Sequence, residues 1–220
     1  MRILAFSGSP RRKGNSSILL AEMLRGAQEA GAQTEEIIAE DVDLKYCKGC
    51  LRCNLLKRCA IKGDDWPELS QKILQADVLI FASPIYFHHL TAPLKKILDR
   101  FRSFVHVQIT ETGLKHTPWH EWKKVFVLIL TMGSSSGADA QPVIDLFLYI
   151  TTILGSKNIL HSFMSNRLAV SNQVKMDEGE LLELYPKIKL HSQLAKQDYQ
   201  RNQKLLKNCR EFGRTLSLRT

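Results

Sequence analysis

The sequence has no apolar run long enough for a membrane-spanning helix, which needs roughly 18–20 residues. The longest run, residues 143–154, is interrupted by Asp145. The apolar stretch before Gly8 is also too short for a secretory signal peptide. Apolar residues still make up 44% of the 220 residues and charged residues 24%, a balance that excludes intrinsic disorder. We therefore expect a globular cytoplasmic protein that makes no contact with a membrane.

Common nucleotide-binding motifs are absent as well. Neither Gly-x-Gly-x-x-Gly nor a Walker sequence occurs near the amino terminus, which argues against a dinucleotide-binding fold or a nucleotide hydrolase. No Ser–His–Asp arrangement stands out, and no internal repeat, low-complexity tract or linker divides the chain. The sequence therefore predicts a single domain over residues 1–220.

Acidic residues are scarce towards the carboxyl terminus. Residues 187–220 contain nine Lys or Arg against two Asp or Glu, whereas the whole chain carries a net charge of +9. We interpret this segment as the solvated face of a helix, and an acidic redox partner protein is the alternative interpretation. Few aromatic residues are interleaved with the basic ones, which argues against a nucleic-acid partner.

Short apolar runs alternate with amphipathic segments along the chain, a pattern typical of an α/β fold. The predicted strands are Ile3–Phe6, Thr34–Ala39, Val78–Ala82, Val125–Leu130 and Asn158–Phe163. The predicted helices are Ser16–Ala30, Trp66–Leu74, Pro93–Phe104, Asp139–Leu154 and an extra basic carboxy-terminal helix over about 186–212. Because the strands are continuously apolar, they predict a flavodoxin-like, doubly wound sheet of five parallel strands in the order 2-1-3-4-5. Two stretches interrupt the alternation: a cysteine loop, 45–65, inserted after strand 2, and residues 105–123, which we predict as a second long loop.

The loop after the first predicted strand has the composition of a phosphate-binding site. Over residues 8–17 it reads Gly-Ser-Pro-Arg-Arg-Lys-Gly-Asn-Ser-Ser, and it leads directly into the first helix. Small hydroxyls, backbone N–H groups and a helix amino terminus together suit a phosphate, and Arg11 adds charge-assisted hydrogen bonds. The alternative is a simple capped helix start, in which Ser9 and Asn15 only close the turn.

Four of the five cysteines are concentrated in the cysteine loop, with the spacing Cys-x2-Cys-x2-Cys-x5-Cys over residues 47–59. Such compact thiolates suit a four-iron cluster, while free redox-active thiols and zinc remain alternatives. Residues 45–62 hold six Lys or Arg and no acid, which favours thiolates and offsets the charge of a bound cluster. The fifth cysteine, Cys209, is predicted to be a small buried side chain.

Two of these motifs and one further motif resemble known enzymes. The loop from Gly8 to Ser16, together with Ser83-Pro84-Ile85-Tyr86-Phe87 after the third strand, resembles the flavodoxin-like NAD(P)H-dependent FMN reductases. The cysteine motif followed by Asp64-Asp65 resembles the iron–sulfur flavoprotein branch of that superfamily. The resemblance covers residues 1–104 well and residues 124–163 by pattern only.

The resemblance implies a set of cofactor-binding residues. The FMN phosphate would be held by Ser9, Arg11, Asn15, Ser16 and Ser17. The isoalloxazine ring would meet Pro84, Ile85, Tyr86 and Phe87 on one side, and Thr131, Met132 and Gly133 on the other. The ligands of a 4Fe-4S cluster would be Cys47, Cys50, Cys53 and Cys59. NAD(P)H would be the co-substrate. Independently of the resemblance, His88 follows the ring-binding loop and is a candidate catalytic proton donor, with a rim or packing role as the alternative.

The resemblance also implies an activity. We expect an FMN-dependent oxidoreductase that moves electrons between NAD(P)H or a protein donor and a quinone, flavin or protein acceptor. One alternative is a non-enzymatic iron–sulfur flavoprotein that only carries electrons, and another is an NAD(P)H:FMN or quinone reductase without a cluster. Because one face of a flavin at a strand-end rim stays open, we expect a homo-oligomer, either a dimer or a tetramer.

Overall fold

The computed structural model describes residues 1–216, and its central element is a five-stranded parallel sheet. The strands in chain order are β1 (Arg2–Ser7), β2 (Gln33–Ile38), β3 (Val78–Pro84), β4 (Val105–Thr110), β5 (Gly113–Pro118), β6 (Val125–Thr131) and β7 (Ile159–Ser165). The large sheet has the order β2-β1-β3-β6-β7, and every neighbouring pair in it is parallel. With the β4–β5 hairpin left out, this is the order 2-1-3-4-5, so the flavodoxin-like fold is confirmed.

Helices cover both faces of this sheet. The helices of the described residues are α1 (Asn15–Glu29), α2 (Cys53–Leu56), α3 (Trp66–Gln75), α4 (Ala92–Arg100), α5 (Gln141–Leu154), α6 (Glu178–Lys187) and α7 (Ala195–Leu216). Helices α3, α4 and α5 pack on one face, where the Phe81 ring lies 5.0 Å from Phe6 and 4.8 Å from Phe147. Helices α1 and α7 pack on the other face. Over residues 1–216, every helix is too short or too polar to cross a membrane.

Helices α1 and α7 cross with almost no space between their backbones. A Cβ atom built on Gly26 would overlap the carbonyl oxygen of Arg210, and one built on Gly213 would overlap the carbonyl oxygen of Met23. Only hydrogen side chains fit at these two positions, since backbone atoms cannot move aside as a flexible side chain can. The two glycines therefore set how closely α7 lies on α1.

The basic charge of α7 is partly neutralised by α1. Arg210 and Arg214 both donate hydrogen bonds to Glu29, and these bonds lower the pKa of that carboxyl to about 2. Cys209 on the same helix is buried, as predicted, and burial raises its pKa to about 12. Residues 217–220 of the predicted basic segment lie outside the described residues. The basic segment is thus in part an intramolecular contact rather than wholly a solvated face.

The start predicted for the carboxy-terminal helix, near residue 186, is wrong, because residues 188–194 separate α6 from α7. Lys189 adopts a left-handed conformation with φ of 60°, and the N–H of Leu190 donates to the carbonyl of Tyr185 at 2.9 Å. This is the pattern of a Schellman helix end. Glycine usually occupies the left-handed position of such an end, so a lysine there gives no sequence signal.

The prediction of a long loop over residues 105–123 is also wrong. This segment contains the antiparallel hairpin β4–β5, in which Val105 pairs with Pro118 and Thr110 pairs with Gly113. The predicted third helix is shorter than expected and continues as a 3-10 turn over Phe101–Phe104. The hairpin follows that turn directly and contacts the cysteine loop, where Nδ2 of Asn54 donates to the carbonyl of Val107 at 2.8 Å.

Candidate functional site

A cavity of about 430 Å³ lies where the loops after β1, β3, β6 and β7 meet. Its size is within the range of small-molecule and cofactor sites, and a position beyond the carboxyl ends of parallel strands is usual for them. It is lined by Ser9, Arg11, Gly14, Asn15, Ser16, Pro84, Ile85, Tyr86, Phe87, His88, Thr131, Met132, Gly133, Ser134, Asp139, Leu168, Ala169 and Ser171. The cavity therefore brings together every residue expected to bind FMN except Ser17. The candidate catalytic residue His88 also lines it.

The loop before α1 forms a hydrogen-bonded turn, and the first turn of α1 contains a buried hydroxyl without a hydrogen-bond partner within residues 1–216. Ser9 closes the turn, since its Oγ donates to the carbonyl of Arg11 at 2.9 Å and accepts from the N–H of Arg11 at 3.2 Å. Ser16, in the first turn of α1, is buried, and its Oγ has no hydrogen-bond partner among the described residues. A buried hydroxyl without a partner is uncommon. At a helix amino terminus it suits a phosphate oxygen as acceptor.

Asn15 and Ser17 have other partners in this structure. The Asn15 side-chain amide donates to the carbonyl of Val170 at 2.8 Å, and its oxygen accepts from the N–H of Val174 at 3.0 Å. The hydroxyl of Ser17 lies 3.2 Å from that of Ser7. Asn15 therefore lines the cavity while its side chain holds another segment of the chain in place.

That other segment, residues 167–174, forms the fourth wall of the cavity and is called the wall segment below. Gln173 stabilises it from within, because its Oε1 accepts from the N–H of Ala169 at 2.8 Å and its Nε2 donates to the carbonyl of Arg167 at 2.6 Å. Arg11 also donates to the carbonyl of Ala169 at 3.3 Å. The side chains of Arg11 and Asn15 thus connect the wall segment to the loop before α1 and to the start of that helix.

A buried charged network anchors the wall segment to α7. Asp198 is buried and accepts hydrogen bonds from Nε of Arg167 at 2.7 Å and from Tyr185 OH at 2.6 Å, and it forms an ion pair with Nη1 of Arg201 at 3.0 Å. Burial alone would raise the pKa of Asp198, but the hydrogen bonds from Arg167 and Tyr185 and the charge of Arg201 outweigh it and lower this pKa. Two cations and one phenol therefore share a single carboxylate, and one of the cations, Arg167, belongs to the wall segment.

The loop after β3 is a tight turn that presents aromatic groups. Tyr86 and His89 exchange backbone hydrogen bonds at 2.9 and 3.0 Å, with Phe87 and His88 between them at φ of 48° and 61°. Such positive φ values at both central residues match the type I′ turn and are strained for side chains of this size. The Phe87 ring is exposed, and His88 Nδ1 lies 3.9 Å from an oxygen of Asp139. The turn gives the cavity an aromatic edge and a His–Asp pair.

The four cysteines of the cysteine loop share a second, much smaller concavity. Its lining includes Cys47, Cys50, Cys53 and Cys59 and also Arg100, Arg102 and Ser103. Burial raises the pKa of the Cys53 thiol, and the positive charge of Arg102 partly opposes this rise. Across residues 1–216, no three or more Cys, His, Asp or Glu side chains are arranged as a ready metal site. The thiols are gathered on one surface, and the donor chemistry fits an iron–sulfur cluster, but they do not converge on one point.

Comparison with known proteins adds to this description. Residues 1–168 match the family model described as NADPH-dependent FMN reductase. An iron–sulfur flavoprotein from Methanocaldococcus jannaschii is 40% identical over 102 residues, which is 46% of this chain and 52% of the relative. One from Archaeoglobus fulgidus is 33% identical over 106 residues, 48% of each chain. The matches thus span about half the length of these relatives. Among solved structures, an NAD(P)H:quinone oxidoreductase from Methanothermobacter marburgensis has a TM-score of 0.65 at 17% identity, with 98% of each chain covered, and so has the same fold.

Proposed function

This chain is a member of the NADPH-dependent FMN reductase family, and on that premise we propose that it is an FMN-dependent oxidoreductase. In this proposal it moves electrons between NAD(P)H or a protein donor and a quinone, flavin or protein acceptor. The observation that carries it is the strand-end cavity, which has a buried, unpartnered Ser16 hydroxyl at one end and an aromatic edge at the other.

The residues of the cavity divide between the two ends of the flavin. Ser16 and the N–H groups at the start of α1 would hold the phosphate, with Ser9 shaping the loop and Arg11 supplying positive charge. Ser17 follows on the same helix turn. Asn15 would act mainly by holding the wall segment against this loop. FMN, when bound, supplies hydride acceptance and the release of electrons singly or in pairs.

The ring end would lie between Pro84–Phe87 and Thr131–Gly133. The N–H of Ile85 donates to the carbonyl of Thr131 at 2.9 Å, which fixes the spacing of the two loops. His88 stands on the rim with its Nδ1 3.9 Å from an oxygen of Asp139, and from this position its imidazole would donate a proton to a reduced acceptor. In this role His88 is a candidate catalytic residue.

A second part of the proposal concerns the cysteine loop. We propose that Cys47, Cys50, Cys53 and Cys59 hold a 4Fe-4S cluster. Support comes from the common concavity of the four thiols, from the basic loop around them and from the names of the relatives. The alternatives are a reductase that uses FMN without a cluster and a cluster-containing electron carrier that binds no small substrate.

The proposed function includes a homo-oligomer, because Tyr86 and Phe87 leave exposed aromatic surface at the cavity rim, where a second subunit would cover it. An acidic redox protein remains a proposed partner for the basic residues of α7 that do not pair with α1. Nucleic acid is not proposed as a partner, because few aromatic residues are interleaved with the basic ones. A membrane is not proposed as a partner either.

The decisive experiment uses FMN-loaded protein purified without oxygen. We expect NADH or NADPH to bleach the flavin absorbance and to be oxidised at steady state when a quinone or free FMN is the acceptor. The same sample should sediment as a dimer or a larger species. If neither nicotinamide bleaches the bound flavin while a protein donor does, the electron-carrier alternative replaces the reductase.

The role of Ser16 can be tested separately. Replacing Ser16 with alanine is expected to raise the dissociation constant of FMN about 10- to 100-fold, because a hydrogen bond to a charged phosphate contributes about 1.5–3 kcal/mol. Fluorescence titration of flavin-free protein measures this constant. Ser70→Ala, on α3 and away from the cavity, is the control and should bind FMN like the wild type. Equal affinity in Ser16→Ala and the control would show that the phosphate lies elsewhere.

A further inference from the structure

Arg100, the last residue of α4, is a buried arginine with only part of its guanidinium bonded. Its Nη1 donates to Asp64 at 2.5 Å and to the carbonyl of Lys45 at 2.8 Å. The side chains of both Arg100 and Asp64 are fully buried. The guanidinium carbon lies 5.1 Å from the centre of the Trp66 ring, so one face of the group is also covered.

The Nε and Nη2 atoms of Arg100 are buried and have no hydrogen-bond partner among the described residues. These two atoms form one edge of the guanidinium, the same edge with which Arg167 binds Asp198. Leaving a buried donor unpaired costs about 1–3 kcal/mol, and more when the donor is charged. An unpaired edge of this kind therefore points to an acceptor that carries negative charge and is wide enough for two N–H groups.

The surroundings of Arg100 indicate which acceptor this is. Arg100 lines the concavity of the four cysteines, and neighbouring Arg102 donates from Nη1 to Sγ of Cys53 at 3.5 Å. Arg102 also donates from Nη1 to the carbonyl of Val105 at 2.9 Å and from Nη2 to Oδ1 of Asn54 at 3.1 Å, so both N–H groups of its Nη1 are committed. Sulfur is thus the abundant acceptor on this surface and would carry negative charge as a cluster ligand, and Arg100 supplies two buried donors without partners in residues 1–216.

We propose that the Nε–Nη2 edge of Arg100 donates hydrogen bonds to sulfur atoms of the cluster-bound cysteine set, and that this raises the reduction potential of the cluster. This inference rests on the proposed cluster. Asp64 neutralises the charge of Arg100, so the effect comes from directed hydrogen bonds and not from net charge. Hydrogen bonds to sulfur stabilise the reduced cluster, which carries more negative charge, and are one of the factors that set the reduction potentials of such clusters. Arg100 is a positioning residue in this sense, with no part in substrate binding.

The test compares wild-type protein, Arg100→Lys and Arg52→Lys, all loaded with cluster without oxygen and assayed for iron and acid-labile sulfide per flavin. Lysine keeps a cation beside Asp64 but cannot present a two-donor edge. We expect Arg100→Lys to lower the cluster midpoint potential by about the 59 mV that equals a tenfold change in the ratio of reduced to oxidised cluster. The FMN potential in the same sample should not move. Arg52 is an exposed residue of the cysteine loop and does not line the concavity, so the cluster of Arg52→Lys should have the midpoint potential of the wild type.

A second measurement does not depend on the folding of Arg100→Lys. In Arg102→Lys protein with ¹⁵N only in the guanidinium groups of its arginines, pulsed electron paramagnetic resonance of the reduced cluster should still detect coupling to nitrogen. Among the described arginines, Arg100 is then the one that still lines the concavity. If cluster is present but neither the potential shift nor this coupling is found, the inference about Arg100 is overturned and the cluster stands. If no iron or sulfide is incorporated, the cluster and the inference both fail, while the flavin chemistry is judged by its own experiment.

Discussion

Replacing Asp198 with asparagine is expected to lower the free energy of unfolding by about 3–5 kcal/mol, because it leaves two arginines without their buried counter-ion. The carboxylate is buried and is shared by Arg167, Arg201 and Tyr185. Urea unfolding of flavin-free protein under reducing conditions measures the effect. A decrease below about 1 kcal/mol would contradict it, since that is the range of exposed ion pairs. The matched control is Asp41→Asn, which breaks the exposed pair of Asp41 with Arg12.

The pH dependence of this effect has a definite sign. The pKa of Asp198 is lower in the folded protein than in the unfolded chain. Its contribution is therefore complete above the ordinary pKa of an aspartate, near 3.9, and is lost as the pH falls through the lowered value. The difference in unfolding free energy between wild type and Asp198→Asn should stay constant from pH 7 to about pH 5 and narrow only in stronger acid. A difference that already narrows between pH 7 and pH 6 would require another titrating group.

The second large effect is expected at the crossing of α1 and α7. Gly26→Ala should destabilise the protein by about 3 kcal/mol, because the new methyl group meets the carbonyl of Arg210 and the helices must separate. Alanine gains up to about 1 kcal/mol over glycine in an isolated helix, so the observed loss is net of that gain. Gly213→Ala, at the other contact of the crossing, should destabilise the protein by a similar amount. The double variant should lose less stability than the sum of the two single losses.

The control for the crossing is Gly137→Ala. A Cβ at Gly137 meets no atom within 4 Å, and its φ is not in the left-handed region, so stability should change by less than about 0.5 kcal/mol. Thermal unfolding of the three variants, followed by far-ultraviolet circular dichroism, gives the comparison. Equal midpoints for Gly26→Ala and Gly137→Ala would mean that the two helices can move apart without loss.

The large sheet could be predicted from the sequence because its three central strands, β1, β3 and β6, contain continuous apolar runs and are separated by segments with helical periodicity. The cysteine concavity could also be expected in outline, since its residues are close in the chain. Strand β4 of the hairpin could also have been predicted, because Val105, Val107 and Ile109 alternate with polar residues as in a half-buried strand. That alternation spans only six residues, and its partner strand β5, Gly113–Pro118, contains almost no apolar residues and so gives no second strand signal.

Other parts of the site had no local signal. The wall segment depends on Asn15 and Gln173, whose amides bond to backbone groups that the sequence does not distinguish from any others. Likewise, Arg100 and Asp64 are 36 positions apart and pair only after α3 and α4 have packed. Ser16 was predicted among several equivalent small polar residues, and only its burial without a partner separates it from them.

The anchoring of the wall segment by α7 has a consequence for biosynthesis. Every strand of the large sheet precedes α7 in the chain, so the sheet and three sides of the cavity can form while α7 is still being translated. The fourth side is held until then by hydrogen bonds from Arg11, Asn15 and Gln173, and it gains its buried ionic anchor when Asp198 reaches Arg167. Tight retention of flavin is therefore a late event, and a nascent chain arrested before α7 would present a half-open site that exchanges the cofactor freely with its surroundings.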